Sequence, residues 1–181
     1  MNKYGHFIGG DFVEPLSKQW IDTSDPFSGD VWAQIPRGDQ ADVDAAVSAA
    51  HDAMTTGPWS EFSPSQRSAV LRRLADLIAK HRDQLAPIEV RDNGKLFAEV
   101  TGQLNGLSNY WHYYAGLADK IQGETIPVDK ADMVAYTLRE PVGVVAALTA
   151  WNSRLDLLPR NARRPWQLAA PLSSSHLSLL Q

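Results

Sequence analysis

The chain has no cysteine among its 181 residues. That excludes disulfides, thiolate metal sites and any cysteine nucleophile. It has no excess of basic charge: 17 lysines and arginines stand against 21 aspartates and glutamates, for a formal net charge of −4 near neutral pH. Nothing in that balance calls for nucleic acid or an anionic membrane as a partner. Long apolar runs are missing too. The longest, Val142 to Leu148, is far below the roughly 20 residues that a membrane-spanning helix needs. The opening MNKYGHFIGG carries no apolar leader-like segment, so a cytoplasmic protein is expected. No internal repeat is visible. What is present is ordinary for a globular domain, 44% apolar and 21% charged residues, in a chain long enough to bury a core of its own.

Phe7-Ile8-Gly9-Gly10-Asp11-Phe12-Val13 reads as two short strands around a glycine turn. Asp25-Pro26-Phe27-Ser28-Gly29-Asp30 has turn chemistry, and Val31 to Ile35 is expected to be extended. The period then becomes helical. Val43, Ala46, Val47, Ala50 and Met54 share one face, with Asp39 as N-cap, and Gly57-Pro58 ends the segment. Asp39, Asp42 and Asp44 read as an acidic helix start and not as a cation site. Ser63-Pro64-Ser65-Gln66 opens a second helix with a capping serine, proline at the first position and glutamine at the third. Val70, Leu71, Leu74, Leu77 and Ile78 form its apolar stripe. A further helix over about Gln84 to Asp92 closes at Asn93-Gly94, where a left-handed residue is easiest. Lys95 to Ala118 is expected to be helical, with Tyr110, Trp111, Tyr113 and Tyr114 packing it. His51, His81 and His112 lack metal-ligand spacing and are read as surface or half-buried side chains.

Gly123 to Pro141 reads as a hairpin. Thr125 to Val128 and Met133 to Leu138 are β-prone around the polar Asp129 to Asp132, and Pro127 suits an edge or an arm. Val142 to Thr149 is a continuous apolar run, expected as a strand buried on both faces as in a parallel sheet. After Asn152 the pattern dissolves. No cap, alternation or turn signature organises Pro159 to Gln181.

The segment EPVGVVAALTAWNS, Glu140 to Ser153, closely resembles the aldehyde dehydrogenase superfamily, in which such a strand leads into a Trp-Asn pair. The resemblance extends back to Phe7. It includes the F-I-x-G-x-[FW]-V pattern at Phe7 to Val13 and the N-P-x-x-G-x turn, here Asp25 to Asp30. It includes R-x-x-x-L-x-x-L-A-x-x-I from Arg67 to Ile78 and D-N-G-K at Asp92 to Lys95. Y-Y-A-G-x-A-D-K at Tyr113 to Lys120 is followed by G-E-T-x-P at Gly123 to Pro127. The pieces stand in order and at family spacing. Ala150 replaces the proline that usually precedes the tryptophan.

The resemblance implies an α/β fold: an incomplete Rossmann-like NAD(P)-binding domain with a β-hairpin oligomerisation arm. Residues 1–122 would be the N-terminal part of the cofactor domain, 123–141 the arm, 142–158 the first strand of the cofactor sheet with the Trp-Asn motif, and 159–181 an aberrant tail. In the family a cysteine thiolate attacks an aldehyde, hydride passes to NAD or NADP, and a glutamate-activated water releases the carboxylic acid. Asn152 matches the asparagine whose amide stabilises the oxyanion. Leu148, Thr149, Ala150 and Trp151 match the stretch along the cofactor. The catalytic cysteine, the later glutamate and the glycine-rich cofactor turn have no counterpart here. These site residues are therefore expected to be vestigial, NAD(P) is not expected to bind this chain, and no metal is expected. The expected partners are a homologue or a second copy docking through Gly123 to Pro141, besides the aldehyde of the parent reaction.

The family continues with A-P-A-L-A-A-G-x-T-V-V-x-K-P-S-E, which the tail lacks in its own frame. Codons exist for Arg164 to Gln181 that, read one base earlier, spell P-A-L-A-A-G-C-T-V-V-V-K-P-S-E-F-A-A. Some steps are forced: Trp166 followed by Gln167 can give only alanine. The shifted lysine and glutamate fall at Ser175 and Ser178. A lost base near the codons for Leu158 to Arg160 is the expectation, and it also accounts for the basic cluster Arg160, Arg163 and Arg164 without an anion site. The sequence therefore leaves three readings: an inactive truncated product, a full-length enzyme obscured by a sequence error, or a non-catalytic partner of an intact homologue.

Overall fold

The computed structural model describes residues 2–161. In chain order the elements are β1 (Asn2–Lys3), β2 (His6–Ile8), β3 (Asp11–Val13), β4 (Trp20–Ser24), β5 (Val31–Pro36), α1 (Gln40–Thr55), α2 (Pro58–Glu61), α3 (Pro64–Lys80), α4 (Arg82–Asn93), α5 (Phe97–Leu117), β6 (Thr125–Ile126), β7 (Ala135–Tyr136) and α6 (Arg154–Asn161). The fold is mixed α/β with small sheets. β5 is the centre of a three-stranded sheet, parallel to β1 and antiparallel to β4. β2 and β3 form a separate hairpin whose Gly9 and Gly10 both take positive φ.

The helix boundaries follow local chemistry. Asp39 caps α1 and Ser63 caps α3, each in a reciprocal box with the residue three positions on. These caps satisfy donors that the first turn leaves without intrahelical partners. Gly94 ends α4 in the left-handed conformation, φ 74° and ψ 12°. A Cβ there would sit 3.3 Å from the Pro26 side chain, so both conformation and space favour glycine. Between α1 and α3, Pro58 starts the one-turn helix α2, its fixed φ suiting a first helical position.

The core is a helical layer built on α5. Leu71 and Ala75 of α3 and Ala86 of α4 pack against Val100, Leu104, Leu107, Trp111 and Ala115 of α5. Ala75 and Ala115 are fully buried, and their small size lets α3 and α5 approach closely. Two hydroxyls use that approach. Ser68 Oγ donates to the Ala115 carbonyl at 2.7 Å, and the buried Ser108 Oγ donates to the Ala75 carbonyl at 3.0 Å. The seam is narrower than the periodic stripe suggested: Val70 and Leu77 are exposed. Likewise α1 buries Asp42, Ala46 and Ala50 and leaves Val47 exposed. Val47 and Met54 line an open apolar groove with Gly143 and Val144.

The hairpin forms with shorter strands than expected, pairing Thr125 with Tyr136 and Ile126 with Ala135. Thr137 closes it: its N–H donates to the Glu124 carbonyl, and its hydroxyl accepts from the Glu124 N–H. The expected strand Val142 to Thr149 is not formed. Residues 142–150 belong to no ladder, and Val142 and Leu148 are about 70% exposed. A run apolar on both faces needs neighbouring strands and covering helices on each side, and no described residue supplies those strands. The end of the chain also departs from expectation. Arg154–Asn161 is helical, with the Ser153 carbonyl accepting from the Leu157 N–H. The remaining tail, 162–181, lies outside the described residues, as do Arg163, Arg164, Ser175 and Ser178.

Candidate functional site

Leu148, Thr149, Ala150, Trp151 and Asn152 are contiguous, so the chain itself brings them together. Trp151 and Asn152 form a turn, closed by a 3.4 Å bond from the Ser153 N–H to the Ala150 carbonyl. Trp151 is 69% exposed, the Asn152 amide is exposed, and Ser153 is buried. The polar head is thus presented outward while the next residue is held inside.

What holds it is the C-terminal end of α4 and the linker after it. Asp92 Oδ2 pairs with Arg154 at 2.5 Å, and its other oxygen accepts from the Thr23 hydroxyl at 2.8 Å. Asn93 uses both ends of its amide. Its Oδ1 accepts from the Lys95 N–H at 3.0 Å. Its Nδ2 donates to Glu89 Oε1 at 3.1 Å and to the Asn152 main-chain carbonyl at 3.4 Å. The Lys95 ammonium bonds Ser153 Oγ and also reaches Gln103 at 3.2 Å and Glu99 at 3.3 Å. The D-N-G-K segment carried a family resemblance in the sequence; its physical role as a cradle for residues 152–154 was not legible there.

Glu89 lies beneath this cradle, 8% exposed. Burial pushes its carboxyl above the ordinary value of 4.5, and the Asp92 charge adds to that. The Arg154 and Lys95 charges and the Arg154 N–H oppose the shift without cancelling it. Val100, Leu104, Leu107 and Leu155 lie around Glu89 and leave no room for a water molecule.

A second polar site escaped the sequence reading. His6 and Asp42 are both 4% exposed, with Nε2 3.8 Å from Oδ2. Asp42 is not merely an acidic residue at a helix start. Burial disfavours its charge, but the N–H groups of Leu16 and Asp39, each at 3.0 Å, and the nearby His6 outweigh this. Its carboxyl is held below the ordinary 3.8. Alternation in β2 gave no sign that His6 would face α1. Of the other histidines, His51 is exposed, His81 is half-buried, and His112 lies 3.3 Å from Asp76. No group of three or more candidate metal ligands occurs among the described residues. No helix among them is long and apolar enough to cross a membrane.

The comparisons with known proteins agree with one another. The family model for the aldehyde dehydrogenase family matches residues 12–163. The (Z)-2-((N-methylformamido)methylene)-5-hydroxybutyrolactone dehydrogenase of Acinetobacter baylyi is 43% identical over 157 residues, covering 87% of this chain and 32% of its own length. A variant of aldehyde dehydrogenase from Bacillus cereus superposes with a TM-score of 0.86 at 34% identity, covering 95% of this chain and 37% of that one. The NAD+ complex of an aldehyde dehydrogenase from Bacillus cereus superposes with a TM-score of 0.85 at 36% identity, covering 93% of this chain and 34% of that one. The chain spans about a third of the length of the curated relatives it matches. Matched over most of its residues by sequence and by structure, the chain belongs to the aldehyde dehydrogenase family.

Proposed function

We propose that this chain derives from an NAD(P)-dependent aldehyde dehydrogenase, converting an aldehyde to a carboxylic acid through a cysteine thioester, and does not itself complete that reaction. The observation that carries the reading is the outward-facing Trp151-Asn152 turn in a chain without cysteine. Asn152 is the oxyanion donor of the parent site, with Leu148 to Trp151 beside the cofactor. An oxyanion donor acts only where a nucleophile generates an oxyanion, and the family's cysteine nucleophile has no counterpart in this sequence. The cofactor does not fit the described residues either. Trp151, the residue matched to the cofactor's path, is open to solvent.

The tail adds support for a lost base upstream of Arg164, since codons exist for Arg164 to Gln181 whose shifted reading matches the family pattern. The test has two parts. The nucleotide sequence should open a longer frame with a cysteine codon when a base is restored near Leu158 to Arg160; a restored frame without one sinks the frameshift. The purified chain, given an aldehyde and NAD+ or NADP+, should form no reduced nicotinamide. Sustained turnover would overturn the inactive reading.

A second reading rests on the arm. Ile126, Val128, Met133, Val134, Tyr136 and Leu138 are exposed along residues 126–138, which suits docking onto an intact homologue or a second copy. Co-purification with a full-length homologue, abolished by Val134→Asp and Tyr136→Asp, would support it. Failure to co-purify would remove it.

A further inference from the structure

The Trp151–Asn152 turn is joined to the end of α4 by contacts that are remote in sequence. Asn93 Nδ2 to the Asn152 carbonyl spans 59 residues, and Lys95 Nζ to Ser153 Oγ spans 58. On the other side of the turn, residues 142–150 belong to no ladder. A segment without ladder bonds inherits no orientation from a sheet. Its end meets the helix on its C-terminal side and the side chains beneath it. That helix is α6, fixed by Leu155 against the helical core and by the Arg154–Asp92 pair. The side chains beneath are Asn93 and Lys95.

We propose that Asn93 and Lys95 are positioning residues that set the orientation of the Trp151–Asn152 turn, and with it the Asn152 amide. The functional importance of this orientation rests on reading Asn152 as an oxyanion donor; the orientation itself does not. Asn93 is suited to the task because its amide is held at three points. Its Oδ1 is fixed by the Lys95 N–H, and its Nδ2 is shared between Glu89 Oε1 and the Asn152 carbonyl. Lys95 is 15% exposed at its side chain and makes three polar contacts, with Ser153, Gln103 and Glu99. A side chain so restrained is already ordered before it meets the turn, so little further entropy opposes the contact. Glu89 supports the pair from below. It accepts from Asn93 Nδ2 and also from the Arg154 N–H, so it touches both flanks of the turn's anchor. Neither Asn93 nor Lys95 contributes to the α3–α5 seam, which is held by its own apolar contacts and by Ser68 and Ser108.

The test is nuclear magnetic resonance of the full chain labelled with nitrogen-15. The reporters are the Asn152 side-chain amide and the Ser153 backbone amide. The Trp111 indole N–H, buried in the core, is the control. Asn93→Ala and Lys95→Met should each shift or broaden the Asn152 and Ser153 signals and leave Trp111 in place. Glu89→Ala should reproduce the Asn93→Ala effect. Glu89→Gln, which keeps an Oε1 acceptor, should restore the wild-type positions. Unmoved Asn152 signals in both Asn93→Ala and Lys95→Met overturn the proposal. So does a Trp111 signal that moves together with them, because the effect would then be global. The oxyanion reading fails on different evidence: an Asn152→Ala change that leaves activity intact in a restored, cysteine-bearing frame.

Discussion

Arg154 pairs with Asp92 across 62 residues, the guanidinium 2.5 Å from Oδ2 while Thr23 donates to Oδ1. One carboxylate thus joins β4, α4 and the helix after the Trp-Asn turn. Asp92→Ala removes both contacts and leaves the Arg154 charge without its partner. Arg154 is more than a third exposed at its side chain, so water recovers part of the loss. The expected cost is about 1 kcal/mol, read as a lower urea midpoint with an unchanged slope. Asp92→Asn, which keeps an acceptor for Thr23, should cost less.

Glu89 makes stability depend on pH. Its carboxyl is held above 4.5 in the folded chain, so the folded state grips this proton more tightly than the unfolded state does. Stability from this group is present below the ordinary glutamate range and falls as pH rises through the folded value. Asp42 acts in the opposite sense. Its carboxyl is held below 3.8, so its contribution is present above the unfolded value and is lost as pH falls through the folded one. Glu89→Gln should therefore raise the melting temperature near neutral pH and leave it nearly unchanged in acid. Asp42→Asn should lower it near neutral pH. Thermal melts across the pH range check both, and a neutral-pH melting temperature reduced by Glu89→Gln contradicts the assignment.

Leu104 is among the largest fully buried side chains, at 2% exposure between α3, α4 and α6. Leu104→Ala leaves a void beside Leu155. The expected loss is about 3 kcal/mol, the sum of lost transfer energy and an incompletely collapsed cavity. Chemical denaturation measures it. A loss under about 1 kcal/mol would mean that the helical layer repacks freely.

Val142 and Val145 are exposed, at 68% and 41%, in an apolar stretch that forms no strand. Such a run is a template for pairing between chains. Val142→Lys combined with Val145→Lys should reduce concentration-dependent association in size-exclusion chromatography, while the helical signal in circular dichroism stays. A wild-type chain that is monomeric at every concentration would refute the liability.

The features legible in the sequence are those made within a few residues. The Asp39 and Ser63 boxes, the left-handed Gly94 and the glycine turn of β2 and β3 depend on neighbours up to four positions away, and they form as expected. The family pattern is likewise a linear order of short motifs. The tertiary structure alone decided the rest. Val142 to Thr149 has the composition of a buried strand, yet strand formation depends on partners that composition does not encode. Val47 and Leu77 sit at apolar stripe positions, yet a stripe says which face is apolar and not how wide the opposing surface is. Asp42 and Glu89 look like ordinary helix carboxylates, yet hydrogen bonds hold the first below its ordinary value and burial holds the second above it. Asp92, Asn93 and Lys95 stand in a short motif whose partners lie 58 to 62 residues on. Hydrogen bonds of that reach leave no periodic trace, so only the packed chain shows what the motif holds.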